Sequence, residues 1–158
     1  MDKDVRHVCG GCHCGRVRFE ARLTDGLTDV LRCNCSLCRM RGAVIAFADL
    51  DHLRIVSGGD ELAVYRFNTN VAQHFFCRHC GIYTHHQRRF NPAEYAINVA
   101  CLDGVSPFDF AEVAVVDGTH HPLDHGGGPM RVVGKLMFID MVDDSQTRSP
   151  RANRAPRD

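Results

Sequence analysis

The sequence predicts a mainly β domain of antiparallel strands with few, short helices. Two observations carry this. Several short stretches alternate apolar and polar residues with period two, as a strand with one buried face does. They are punctuated by turn formers: Gly58-Gly59, Asn91-Pro92, Asp103-Gly104, Asp117-Gly118 and GGGP at 126–129.

In chain order the strands are RVRFEAR (16–22), LRIVS (53–57), LAVYRF (62–67), EYAINVA (94–100) and RVVGKLMFI (131–139). A further strand is expected after Gly81. The helix candidates are two short turns, one after Asp49 and one after Pro107. There is no internal repeat and no inner linker. From Ser145 the chain reads SQTRSPRANRAPRD, with little to bury. The expected organisation is one β domain over residues 8–142, then a disordered Arg/Pro-rich tail over 143–158.

The chain has 158 residues, enough for one domain with a sizeable core. Its formal net charge is zero, and Lys3 and Lys135 are the two lysines. No overall field therefore steers it to nucleic acid or an acidic membrane. The apolar runs AVIAFA (43–48) and LMFI (136–139) are too short to span a bilayer. MDKDVRHVCGG shows no secretory signal pattern, so the expected compartment is the cytoplasm. Reducing conditions disfavour structural disulfides, and nine clustered cysteines then read as metal ligands.

Eight of the nine fall into three groups: Cys9, Cys12 and Cys14; Cys33, Cys35 and Cys38; Cys77 and Cys80. Cys77-x-x-Cys80 followed by Gly81 has the spacing of a metal knuckle, half of a tetrahedral site. Cys12 and Cys14, at i and i+2 of an extended segment, are the natural other half. A closed four-thiolate zinc site contributes on the order of 10 kcal/mol of apparent binding energy. Cys9-x-x-Cys12 is also knuckle-spaced, but Cys9 is expected on a mobile N-terminal arm. Cys33, Cys35 and Cys38 could wrap three sulfurs round one face of an ion, with no fourth cysteine nearby. Three ligands leave a position for water or substrate, and thiolates suit a soft fourth ligand such as a substrate sulfur. The competing reading closes that site with Cys101 or a histidine.

GGCHCGRVRFE, CNCSLCRMRGA, FFCRHCGIYTHH and NVACLDG, in that order and spacing, resemble the glutathione-dependent formaldehyde-activating enzyme family over about residues 8 to 140. The resemblance implies a β-tent of folded-over antiparallel sheets stapled by zinc. It implies two zincs per chain: a structural one on Cys12, Cys14, Cys77 and Cys80, and a catalytic one on Cys33, Cys35 and Cys38. It also implies a carbon–sulfur lyase with glutathione as co-substrate, joining it to formaldehyde as S-hydroxymethylglutathione, a detoxification reaction.

Remaining candidates are polar. His86 and Arg88 are the expected contacts to the carboxylates of a glutathione-like ligand. His85 and His86 should face opposite sides of their strand, so at most one enters a site; otherwise one is a core histidine and one a surface histidine. Arg88 and Arg89 on a solvated surface is the alternative for that pair. His120, His121 and His125 read as a solvated loop, against a lid or weak metal site. His13 should point away from Cys12 and Cys14, Cys101 reads as buried, and Asn98 and Asp103 as turn organisers. The expected partner is a small thiol or aldehyde, with a homodimer left open. A non-catalytic zinc module binding protein or nucleic acid is the alternative function, weakened by the neutral charge.

Overall fold

The computed structural model describes residues 6–141, so the predicted tail over 143–158 lies outside the described residues. The strands are β1 (Arg6–Gly11), β2 (Arg18–Leu23), β3 (Leu31–Cys33), β4 (Ile45–Asp49), β5 (Leu53–Ser57), β6 (Leu62–Tyr65), β7 (Gln73–Cys77), β8 (Tyr83–Gln87), β9 (Glu94–Asn98), β10 (Glu112–Val116) and β11 (Val132–Met137). One α-helix, α1 (Ser36–Arg41), joins several single 3₁₀ turns. Two of those turns, Leu50–His52 and Pro107–Asp109, stand where the sequence placed its helix candidates.

The strands form a three-stranded sheet, β1-β2-β5, and an eight-stranded sheet, β11-β10-β3-β4-β9-β8-β7-β6. The alternation of β2 is borne out: Phe19, Ala21 and Leu23 are buried while Arg18, Glu20 and Arg22 are not. Those three pack with Ala46 and Ala48 of β4, Ile97 of β9 and Val113 of β10, so the small sheet is folded onto the large one. Burying a Phe or Leu side chain contributes about 1.5–3 kcal/mol, and this seam is the main core. A second, smaller core joins Cys12, Val17 and Cys77 with Leu62 and Cys80.

The expected mainly β fold of largely antiparallel strands is present. One pair departs from it, because β10 runs parallel to β3, with Val116 opposite Cys33, and two other expectations need correction. A parallel pair requires a long crossover, here the chain between residues 33 and 112, and it delivers distant sequence beside the triplet. Cys9 lies on no mobile arm: β1 pairs with β2, Cys9 opposite Glu20, and the Cys9 carbonyl accepts the Asp103 N–H at 2.9 Å. The alternating stretch at 131–139 does form β11, at the edge of the large sheet, yet all six of its residues are exposed, so its alternation marks no buried face. No helix among the described residues is long and apolar enough to cross a membrane.

Candidate functional site

The sulfurs of Cys12, Cys14, Cys77 and Cys80 lie within 4.8 Å of one another. Cys12 Sγ is 3.5 Å from Cys14 Sγ, which is 3.7 Å from Cys77 Sγ. A tetrahedron of sulfurs about 2.3 Å from a zinc has edges of about 3.8 Å, so the donor set fits that ion. The local cause differs from the expected extended segment. Residues 12–15 form a tight turn in which Gly15 N–H reaches the Cys12 carbonyl at 3.1 Å, and Gly81 N–H reaches the Cys77 carbonyl at 2.9 Å in the other half. Both turns end in a glycine at positive φ, 77° and 73°, a conformation that a side chain would strain. Cys9 and His13 are exposed and stand outside this group.

Without a cation these thiols cannot all ionise. Burial, then the neighbouring thiols against the Val17 N–H, push Cys12 up to about 12. Burial also opposes ionisation of Cys80, but the N–H groups of Ile82 and Cys14 and the thiols of Cys77 and Cys14 outweigh it, drawing Cys80 down to about 6. A divalent ion would stabilise all four as thiolates.

The sulfurs of Cys33, Cys35 and Cys38 also converge within 4.8 Å, and no fourth Cys, His, Asp or Glu joins them among the described residues. They come from a strand end and a helix rather than from one loop. Cys33 closes β3, Cys35 is the N-cap of α1, and Cys38 lies in its first turn. Cys35 Sγ accepts the Cys38 N–H at 3.4 Å, as a capping oxygen would, and Cys33 Sγ accepts the Cys35 N–H at 3.4 Å. The three are half-buried and close enough to compete for one another's protons. Sharing of protons with Cys33 and Cys38 drives Cys35 far down, while Cys33 rises to about 11 and Cys38 rises further. The shifts favour the thiolate at the cap sulfur, and a cation held by all three would favour ionisation of the other two.

The loop after β10 braces this triplet. Asn34 N–H donates to the Val116 carbonyl at 3.2 Å, and Thr119 N–H donates to Asn34 Oδ1 at 3.0 Å. Buried Asp117 accepts Arg131 Nη2 at 2.6 Å and the His120 N–H at 3.2 Å. Arg131 above all holds its carboxyl well below the usual range. A Cβ built on Gly118 would lie 2.3 Å from Cys33 Sγ and 2.8 Å from Cys35 Cβ. The sequence marked Asp117-Gly118 only as a turn.

The triplet opens into a cavity of about 690 Å³. His86 and Arg88 both line it, as does His74, which no motif or spacing in the sequence marks and which enters only through the pairing of β7 with β8. His74 pairs with His86 across β7 and β8, ring centroids 4.7 Å apart. Arg41 Nη1 donates to His74 Nδ1 at 3.0 Å, and the Tyr83 hydroxyl lies 2.6 Å from His86 Nδ1. Burial, then Arg41, lowers His74 to about 4; burial, then His74, puts His86 well below its usual value. Both rings are neutral at pH 7. His85 faces the other way, stacked 4.6 Å from Phe75 and bonded to Thr84 Oγ1 at 2.9 Å.

The arginines are not solvated. Arg88 is paired with Glu94 and lies 4.3 Å over the Phe47 ring. Arg89 donates to Asp124 from both terminal guanidinium nitrogens, which pins the histidine-rich loop just past the end of β8. Of that loop, His121 lines the cavity. Its Nδ1 accepts the Leu123 N–H at 3.2 Å, so a neutral ring carries its proton on Nε2. Its ring meets Phe90 edge-on at 6.0 Å.

Elsewhere, Cys101 is buried, bonded to the Tyr83 carbonyl at 3.4 Å and pushed up to about 12 by burial. Asn98 caps the following turn through Ala100 N–H at 3.2 Å, whereas Asp103 pairs with Arg18. Asp49, Asp51 and His52 also converge at the surface, but the Arg22 guanidinium touches His52 Nε2 and supplies the positive charge there.

Two comparisons bear on this geometry. Residues 7–115 match the profile of a family described as glutathione-dependent formaldehyde-activating enzyme. A crystal structure of a Rhodobacter sphaeroides protein is similar, with 55% identity and a TM-score of 0.67, over 68% of this chain and 98% of that one.

Proposed function

Because the chain belongs to the glutathione-dependent formaldehyde-activating enzyme family, we propose that it is a zinc-dependent carbon–sulfur lyase that makes and breaks thiol–aldehyde adducts at Cys33, Cys35 and Cys38. Glutathione is the co-substrate and S-hydroxymethylglutathione the product with formaldehyde. The observation that supports this reading is the triplet itself: three half-buried thiols, with no fourth donor among the described residues, opening on a cavity. Cys12, Cys14, Cys77 and Cys80 would hold a second, structural zinc. A zinc on the triplet supplies a lowered thiol pKa beside it, so that a thiolate is present at neutral pH.

The chain's own residues orient the rest. His121, its proton fixed on Nε2 by the Leu123 N–H, can donate to the aldehyde oxygen as negative charge develops there. His86 and His74, held neutral, add polarity without charge next to the sulfurs. Arg39, exposed on α1 and lining the cavity, can meet a glutathione carboxylate. With nine free thiols, the protein would work in a reducing compartment such as the cytoplasm.

The test is two-part. Metal analysis should find two zincs per chain, one of them perturbed by millimolar glutathione and lost in Cys35→Ser. Exchange NMR should show the zinc-loaded protein accelerating interconversion of formaldehyde, glutathione and their adduct. No acceleration, with all zinc indifferent to glutathione, would sink the proposal.

A further inference from the structure

We propose that the cavity above the triplet takes adducts of an acidic thiol with an aldehyde carrying a bulky apolar substituent, and that the segment after Val116 builds this preference. The inference rests on the thiol-activating reading of the triplet and names the substrate class of that same site.

Charge is the first observation. Arg88 is neutralised by Glu94 and Arg89 by Asp124, while Arg39 makes no ion pair among the described residues. An acidic thiol therefore meets one unpaired cavity arginine, on the exposed face of α1, and its charged ends gain nothing deeper in. His74 and His86 add no positive charge, being neutral.

The walls are the second. Leu31, Ile45, Phe67, Phe90, Met130 and Val132 contribute apolar surface to a space of about 690 Å³. That volume is in the range that encloses a drug-sized ligand, roughly 300–1,000 Å³, and a hydroxymethyl group would leave most of the apolar surface wet. Val132 lines the cavity yet is 57% exposed, so a tail beside it would remove apolar surface from water on both sides.

The origin of one wall is the third. The family match ends at residue 115, while Gly118, Thr119, His121, Asp124, Met130 and Val132 line the cavity beyond it. The Arg89–Asp124 pair and the Phe90–His121 ring contact fix this segment against the rest. A wall added outside the shared pattern can set a preference that the shared pattern does not carry.

The reaction needs no oxidant or reductant. The thiolate sulfur bonds to the aldehyde carbon, the carbonyl π bond breaks onto oxygen, and that oxygen takes the proton the thiol gave up. The reverse regenerates thiol and aldehyde.

The experiment compares S-hexylglutathione with S-methylglutathione on the zinc-loaded full chain by calorimetry. S-hexylglutathione should bind at least tenfold more tightly. Val132→Asp, on an exposed edge strand, should erase most of that ratio with the circular dichroism unchanged, and Arg39→Glu should weaken both ligands by a similar factor. Equal affinities, no binding of either, or a ratio untouched by both Val132→Asp and Met130→Asp would overturn the inference. Acceleration of formaldehyde–glutathione exchange, measured in parallel, tests the lyase reading separately: it can succeed while the apolar preference fails.

Discussion

Gly118 approaches Cys33 so closely that a methyl group on its Cα would lie 2.3 Å from the sulfur. The requirement is space. Gly118→Ala should push Cys33 out of the triplet, lowering zinc affinity there by about 10- to 100-fold, the usual effect of disturbing a group that supports a ligand. Competition with a chromophoric chelator reads this directly. The four-cysteine site should keep its metal, and an unchanged affinity at the triplet would refute the steric account.

Cys77 is fully buried between the small core and the other three sulfurs. Cys77→Ser should lose one zinc and several kcal/mol of stability, on the order of 10 °C or more in Tm. A strong chelator should lower the Tm of the unmodified protein by a comparable amount. Thermal unfolding with and without chelator checks both.

His85 predicts a pH dependence. Burial holds it at about 4 in the folded protein, against about 6.5 when unfolded. Between those values the unfolded chain binds a proton that the folded chain does not, so stability falls as pH drops from 6.5 toward 4, by a few kcal/mol at the limit for this group. His74 acts in the same direction. His85→Phe keeps a ring against Phe75 and Tyr95 and should flatten the slope of urea midpoint against pH. An identical slope in the variant would mean that His85 is not the group responsible.

Thiol accessibility separates the two cysteines outside the clusters. Cys9 is exposed on β1, whereas Cys101 is buried beneath the Tyr83 carbonyl. In the zinc-loaded protein, iodoacetamide and peptide mass mapping should find Cys9 alkylated within minutes. Cys101 should react only after unfolding.

What was legible in the sequence was local. β2 could be read because its two faces meet different environments, and the Cys77–Cys80 knuckle because three residues of spacing and a glycine define it. β4 could not: as an inner strand it buries Ile45, Ala46 and Ala48 on both faces, leaving an unbroken apolar run with no period. Helix α1 was hidden because a cysteine does the capping that serine or aspartate usually does. The cavity's far wall was hidden for a topological reason. Parallel pairing of β10 with β3 brings residues 116–132 to residues 33–38, and no local spacing encodes that meeting. Strand alternation required His85 and His86 to part, and only the fold shows that His86 is the one lining the cavity.

The parallel seam between β3 and β10 also sets an order of events during synthesis. Cys38 leaves the ribosome about 80 residues ahead of Gly118. At about 5–20 residues per second, that leaves the three thiols uncovered for roughly 4–16 s in each nascent chain. The knuckle at Cys77 and Cys80 emerges within that interval, so the four-sulfur staple can close while the triplet still lacks its brace. Until the segment after Val116 arrives, the triplet's sulfurs stand open on the side that Gly118 later covers.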